Sequence, residues 1–216
     1  MYDVGVLTAS NDRRNSVPSS VRTMNLAVFI LCLWCLPVKA AQDEVYVIDA
    51  GQSTISGSLS YALIGTYQAY FKQFSGRLAY NPQHHLIRQV QLNINASSLA
   101  SAFPALDKIV KSKRLLDAQQ HPYLTFDSLN VGRQGNLFKV TGTIGLRGVT
   151  RRESFPFAME GPLLAQDSRL YLKGEGHWIV NRRDFDFLWH PVLDKGGVVV
   201  GDHIKVDWQI VAYQQK

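Results

Sequence analysis

"IKVDWQIVAY", residues 204–213, places Ile204, Val206, Trp208, Ile210 and Ala212 on one face and Lys205, Asp207 and Gln209 on the other. Successive side chains of a strand point to opposite sides, so this alternation reads as a strand with one face against a core and one in water. "VQLNINA" (90–96) repeats it with Val90, Leu92, Ile94 and Ala96 against Gln91, Asn93 and Asn95, and "VTGTIGLRG" (140–148) sets Val140, Gly142, Ile144 and Leu146 on one side. Further strands are predicted over 45–49, 54–63, 67–80, 123–131, 153–160 and 171–180, separated by breakers such as "NPQHH", "RQGN", "EGP" and "KGG". One segment departs from this period. "PALDKIVKSKRLL" (104–116) carries Leu106, Ile109 and Val110 at helical spacing, Pro104 suits a first turn, and Asp107 stands four residues before Lys111, which predicts a single amphipathic helix.

Strands that each carry one apolar face must bury it against another, and sandwiches and closed barrels are the solutions; closure also removes exposed edges. The expected fold is all-β, a single antiparallel barrel of about eight strands with one inserted amphipathic helix. A barrel of that size either fills with its own side chains or holds one small apolar ligand, as lipocalin-type barrels do. Gly142 and Ala96, on otherwise apolar faces, fit either outcome: they leave room inside, or they relieve crowding between strands.

The N-terminal region bounds the compartment. "LAVFILCLWCL" (26–36) is an uncharged run of 11 residues, too short to cross a bilayer as a helix. Arg13, Arg14 and Arg22 precede it and Val38-Lys39-Ala40 follows with small-x-small character, so residues 1–40 read as an export signal cut after Ala40. Met24 offers an alternative start that would forgo Arg22. Leu31 before Cys32 and Trp34 before Cys35 lack the small residue that a lipoprotein anchor needs. Both cysteines fall within the signal, so the domain read over 41–216 has no disulfide, thiolate nucleophile or cysteine metal site, and its length suffices for one core without them. The chain carries a formal charge of +6; four cations and two carboxylates precede Ala41, leaving +4. A basic balance suits an anionic membrane surface or nucleic acid, and export argues against the second.

Six segments carry a resemblance to a known family. "YVIDAGQSTISGSLSY" (46–61) with "YFKQFSGRL" (70–78), "LLDAQQHPYLTFDSLNV" (115–131), "GTIGLRGVTR" (142–151), "NRRDFDF" (181–187) and "VGDHIKVDWQI" (200–210) resemble, in order and spacing, the motifs of the YceI-like proteins across nearly all of the domain. The resemblance implies an elongated, lipocalin-like antiparallel barrel, exported to the periplasm, with a hydrophobic channel for a long isoprenoid or similar lipid. It implies association with polyprenyl lipids, quinones and membrane electron-transfer partners. The chain departs from the family where Tyr61, Ile109 and Arg147 replace a frequent His and where Asp186 and Ala69 replace a frequent Gly. Those departures remove the basis for histidine-dependent chemistry or metal use and leave an apolar tunnel unaffected.

Candidate site residues follow. Arg182 and Arg183 of "NRRDFDF" suit either the channel mouth, where guanidinium holds phosphate bidentately, or an ion pair with Asp184 or Asp186 that closes the barrel end. Phe185, Phe187 and Trp189 alternate and would share one face of an extended segment. Tyr61 joins the two arginines as a polar group at the mouth, and Phe71, Phe74, Phe126, Phe157, Phe185 and Trp208 are the channel-wall candidates. Lys108, Lys111, Lys113 and Arg114 beside an apolar stripe suit an interfacial helix on anionic headgroups or the solvated face of a capping helix. The six histidines show no His-Glu-x-x-His spacing and no Gly-x-Ser-x-Gly elbow occurs, so no catalytic residue, metal or cofactor is assigned; an acid–base pair such as His121 with an aspartate is the enzyme alternative. The leading expectation is a periplasmic carrier for a polyisoprenoid or quinone-like tail. The alternative is a packed barrel that docks on a membrane redox partner through its basic helix.

Overall fold

The computed structural model describes residues 42–61, 65–187 and 200–215; the predicted export signal, its predicted cut after Ala40, the alternative start at Met24 and Trp189 lie outside them. In chain order the elements are β1 (Glu44–Ile48), β2 (Thr54–Tyr61), β3 (Gly65–Phe71), β4 (Phe74–Asn81), β5 (Leu86–Asn95), β6 (Leu99–Ser101), α1 (Pro104–Lys111), β7 (Tyr123–Gln134), β8 (Leu137–Leu146), β9 (Val149–Leu164), β10 (Leu170–Asn181) and β11 (Val200–Gln214). The strands form one sheet in the order β1-β4-β5-β7-β8-β9-β10-β11-β2-β3-β6, and an additional β1–β11 pairing closes eight of them into an antiparallel barrel.

Three of the eight staves are broken lengthwise. β1 and β2 lie end to end on the same edge of β11, which pairs Ile48 with Ala212 and Gln209 with Thr54. β3 and β4 follow one another in the same way, as do β5 and β6. The strand predicted over 67–80 is therefore split at Lys72–Gln73, where Lys72 N–H donates to Ser98 O and Asn95 N–H donates to Gln73 O, so the ladder passes from β6 to β5. β6 was not anticipated, because three residues are too few to show a period. The β8–β9 connection is a two-residue turn, Arg147-Gly148, with φ of 53° and 75°. Both angles are positive, as the tight hairpin turn that matches strand twist requires.

The helix is shorter than the 104–116 predicted. It stops at Lys111 because Ser112 turns to an extended backbone (ψ 168°) and its hydroxyl takes the carbonyl of Ile109 at 2.7 Å. The chain then folds back, with Leu116 N–H donating to Val110 O and Ala118 N–H to Lys111 O, which buries Leu115 and Leu116 without helix. Residues 102–122 occupy the place where β6 has no strand on its outer side, between it and β7.

The inward faces form two apolar clusters that share Phe71, Phe126 and Phe155. Toward the end of the barrel away from α1, Tyr46 and Tyr80 are both 0% exposed and packed edge to face at 5.8 Å. Each phenol finds a partner there, Tyr46 donating to Glu44 and Tyr80 bonding His85 Nδ1 at 3.0 Å.

Candidate functional site

Within the barrel lies an almost wholly apolar hollow of about 290 Å³. Its lining runs from Ile48, Ile87 and Ala212, which share a core cluster with Tyr46 and Tyr80, past Phe71, Phe126, Phe155, Phe157 and Trp208, to Val110, Leu116 and Phe187 at the α1 end. The volume stands at the lower bound of small-molecule sites, roughly 300 Å³. At the roughly 30 Å³ that one water-sized group occupies, it admits about ten methylene-sized groups. A hollow with such walls excludes water and favours hydrocarbon.

Glycines decide where the space is. Gly142 gives none to a ligand: a Cβ there would meet Phe126 Cζ at 2.6 Å and Asp127 O at 2.7 Å, so the missing side chain lets the Phe126 ring lie against β8. Gly176 does the same for Trp208, whose Cζ2 would stand 2.6 Å away. Ala96 is buried in a 3₁₀ turn, beyond the end of β5, and does not line the hollow. Gly57 differs. It lines the hollow and a Cβ there would meet only Ile204 Cγ2, at 3.8 Å.

Tyr67 and Arg182 are among the polar residues of the lining, and both are held by the protein. Tyr67 OH donates to Asp107 Oδ1 at 2.7 Å, and Asp107 Oδ2 accepts from Ser101 N–H at 2.9 Å. The Ser101 hydroxyl also donates to Asp107. Burial raises the Asp107 pKa, but the hydrogen bonds from Ser101 and Tyr67 outweigh it and hold the carboxyl below its ordinary range. Burial, then the Asp107 contact, pushes the Tyr67 phenol well above its ordinary value. Asp107, noted for its spacing from Lys111, thus forms an inward clasp, with the Lys111 charge adding a smaller favourable contribution. Asp107 stands one residue from Leu106 and three from Val110, on the apolar face, and that position was the signal for it.

Arg182 is 3% exposed. Its guanidinium donates to Gly201 O at 3.0 Å and Phe187 O at 2.7 Å and pairs with Asp202 at 3.0 Å. The partner expected was Asp184 or Asp186; both are exposed, and the neighbouring strand supplies Asp202 instead. Arg183 also pairs with Asp202, at 2.7 Å, with its side chain 55% exposed and off the hollow. Residues 182–185 form a 3₁₀ turn that ends at Asp186 with φ 57°, so Phe185 and Phe187 do not lie on one extended segment. That positive φ is one glycine adopts freely.

The remaining candidates divide by position. Phe71, Phe126, Phe157 and Trp208 line the hollow together with Arg182. Phe74 is buried in the adjoining core and Phe185 packs edge-on against Trp178 at 6.4 Å, and neither borders the hollow. Tyr61 ends β2 at the α1 end, its backbone opposite Gly65 and Val200. Phe187, noted in the alternating run, lines the hollow, as do Phe155 and Trp178, which were not singled out because parity along a strand fixes which residues share a face and not which face is inside. His121, the candidate acid–base residue, lies over Gly148, its Cε1 2.8 Å from where a Cβ would stand.

A family model for the YceI-like domain matches residues 46–212. Among curated relatives, Protein YceI of Salmonella newport is 30% identical over 168 residues, covering 75% of this chain and 80% of its own. Among solved structures, Burkholderia cenocepacia BcnA superposes with a TM-score of 0.66 at 20% identity, over 76% of this chain and 98% of that one. A polyisoprenoid binding domain from Saccharophagus degradans, implicated in plant cell wall breakdown, superposes with a TM-score of 0.58 at 16% identity, over 79% and 98%.

Proposed function

Because this chain belongs to the YceI-like family, we propose that it is an exported carrier that binds the tail of a polyisoprenoid or quinone-like lipid inside its barrel. The observation that carries this reading is the apolar hollow of about 290 Å³ inside the barrel, bordered by aromatic and aliphatic side chains. Ten methylenes moved from water into it gain about 8 kcal/mol, at about 0.8 kcal/mol each. That offsets much of the 4–15 kcal/mol or so that association costs. The polyisoprenoid binding described for the Saccharophagus degradans domain of like fold supports this ligand class. The uncharged run at 26–36 supports export, with a periplasmic location as part of the same reading.

The packed-scaffold alternative requires an interior filled by the protein's own side chains, and the hollow counts against it. The test is chemical. The protein is expressed in a bacterial host that exports it, purified without detergent and extracted with organic solvent for mass spectrometry. Stoichiometric lipid is the expected result; repeatedly empty preparations that also fail to take up added polyprenol or quinone would refute the proposal.

A further inference from the structure

α1 turns Leu106, Asp107 and Val110 toward the barrel and leaves the opposite side without a partner among the described residues. The unpartnered side is unusual in its chemistry. Ala102, Phe103, Pro104 and Ala105 are exposed in succession, with Phe103 at 56%, and Ile109 follows at 36%. An exposed Phe in an apolar knuckle is a poor neighbour for water. Lys108, Lys113 and Arg114 are exposed around it, and Lys111 is half-buried at its flank. Arg147 adds a further cation at this end, clamped to the loop by bonds to Lys113 O at 3.0 Å and Asp186 O at 2.6 Å, and Arg151 Nε bonds Asp184 O at 3.0 Å. The exposed carboxylates here, Asp184 and Asp186, lie on the 3₁₀ turn rather than on α1.

Val110 of the same helix, and Leu115 and Leu116 just after it, form the wall of the hollow beneath this knuckle. We propose that the outer side of α1 is a docking surface for an anionic bilayer, with Phe103 and Ile109 seated among the acyl chains and Lys108, Lys113 and Arg114 on the lipid phosphates. Apolar side chains inserted shallowly between cations are what an interfacial helix requires. Charge complementarity favours a lipid surface over a protein partner, and the α1 end of a hollow that holds lipid then faces the phase where lipid is found. This inference rests on the carrier reading.

The test uses the full chain as its host processes it, with vesicles of phosphatidylcholine alone and of phosphatidylcholine mixed with phosphatidylglycerol, read by co-sedimentation. Wild-type protein is expected to bind the anionic vesicles selectively, and to be released at roughly 1 M salt, where the screening length falls to about 3 Å. Lys108→Gln with Lys113→Gln should weaken binding by roughly fivefold per cation, about twenty-five-fold together. Phe103→Ser with Ile109→Ser should weaken binding to both vesicle types. None of the four residues borders the hollow, so lipid recovered by solvent extraction should be unchanged in both variants. Equal binding of wild type to the two vesicle types, or no binding, would overturn the docking surface, as would unaltered binding by both variants. Retained lipid with lost vesicle binding in the variants upholds both readings; vesicle binding by a chain that never holds lipid overturns the carrier reading alone.

Discussion

Substitution of Gly57 by valine tests where the lipid sits. Gly57 faces Ala69 and Val206 across the sheet, all three line the hollow, and an added Cβ meets nothing closer than Ile204 Cγ2 at 3.8 Å. The valine side chain therefore enters empty space and takes the room of three methylenes, which should cost a bound tail about 2.4 kcal/mol at about 0.8 kcal/mol per methylene. Affinity should fall about fiftyfold. Stability should move the other way, because replacing a strand glycine removes unfolded-chain entropy, worth roughly 0.5–1 kcal/mol. Gly142→Ala is the matched comparison: its Cβ collides with Phe126 and Asp127 O, so it should lose about 1–3 kcal/mol of stability through overpacking. Calorimetric titration with a soluble prenol analogue and thermal melting measure the two effects. Should Gly57→Val bind the analogue as wild type does while melting no lower, the assignment of the ligand to this hollow would be wrong.

Arg182→Lys cannot reach two carbonyls and a carboxylate from one ammonium, and the expected loss is about 3 kcal/mol, or a drop in Tm on the order of 10 °C by circular dichroism. Asp107→Asn weakens the clasp on Tyr67 and Ser101, so the amides of α1 should exchange faster with deuterium while those of the strands hold their rate. Since the Asp107 pKa is depressed in the folded state, its contribution is present above about pH 4 and lost as pH falls below that; acid unfolding of Asp107→Asn should lack this component. Tyr46, Tyr67 and Tyr80 are all raised, Tyr46 by burial first and then by Glu44. Their contribution is present below about pH 10 and lost above it, so phenolate absorbance from these three should appear only together with loss of far-ultraviolet structure.

How much of this was legible in the sequence depended on whether a residue's partner was local. Alternation over 204–213 and 140–146 placed β11 and β8 correctly, because a strand's own period carries the information. The eight-stave closure followed from the need to hide edges. What the sequence could not show was where a stave breaks: Lys72 and Gln73 leave the ladder because Asn95 and Ser98 meet them from another strand. Gly142 was ambiguous for the same reason, since its space is filled by Phe126, sixteen positions earlier. Arg182 was read with the carboxylates beside it, Asp184 and Asp186, yet its partner comes from β11. Asp107 was read only through its spacing from Lys111, although its helical position lay with Leu106 and Val110.

The broken staves and the hollow are connected. A barrel whose eight strands ran unbroken from end to end would bond every backbone group to a neighbour at both rims, and opening either rim would cost several ladder bonds at once. At the tyrosine end the strands meet that description, with β1 paired on both sides, to β4 and to β11. At the α1 end β6 has no outer strand neighbour among the described residues, and residues 102–122 are held there by Leu106, Val110, Leu115 and Leu116, by the Asp107 clasp, and by the bonds of Arg147 to Lys113 O and of Ala96 N–H to Pro122 O. An eight-residue helix with no side-chain bond at its N-cap has little stability of its own, so these few contacts decide its position. The place of α1 is thus set by tertiary contacts, whereas that of the strands at the far rim is set by ladder bonds on both sides.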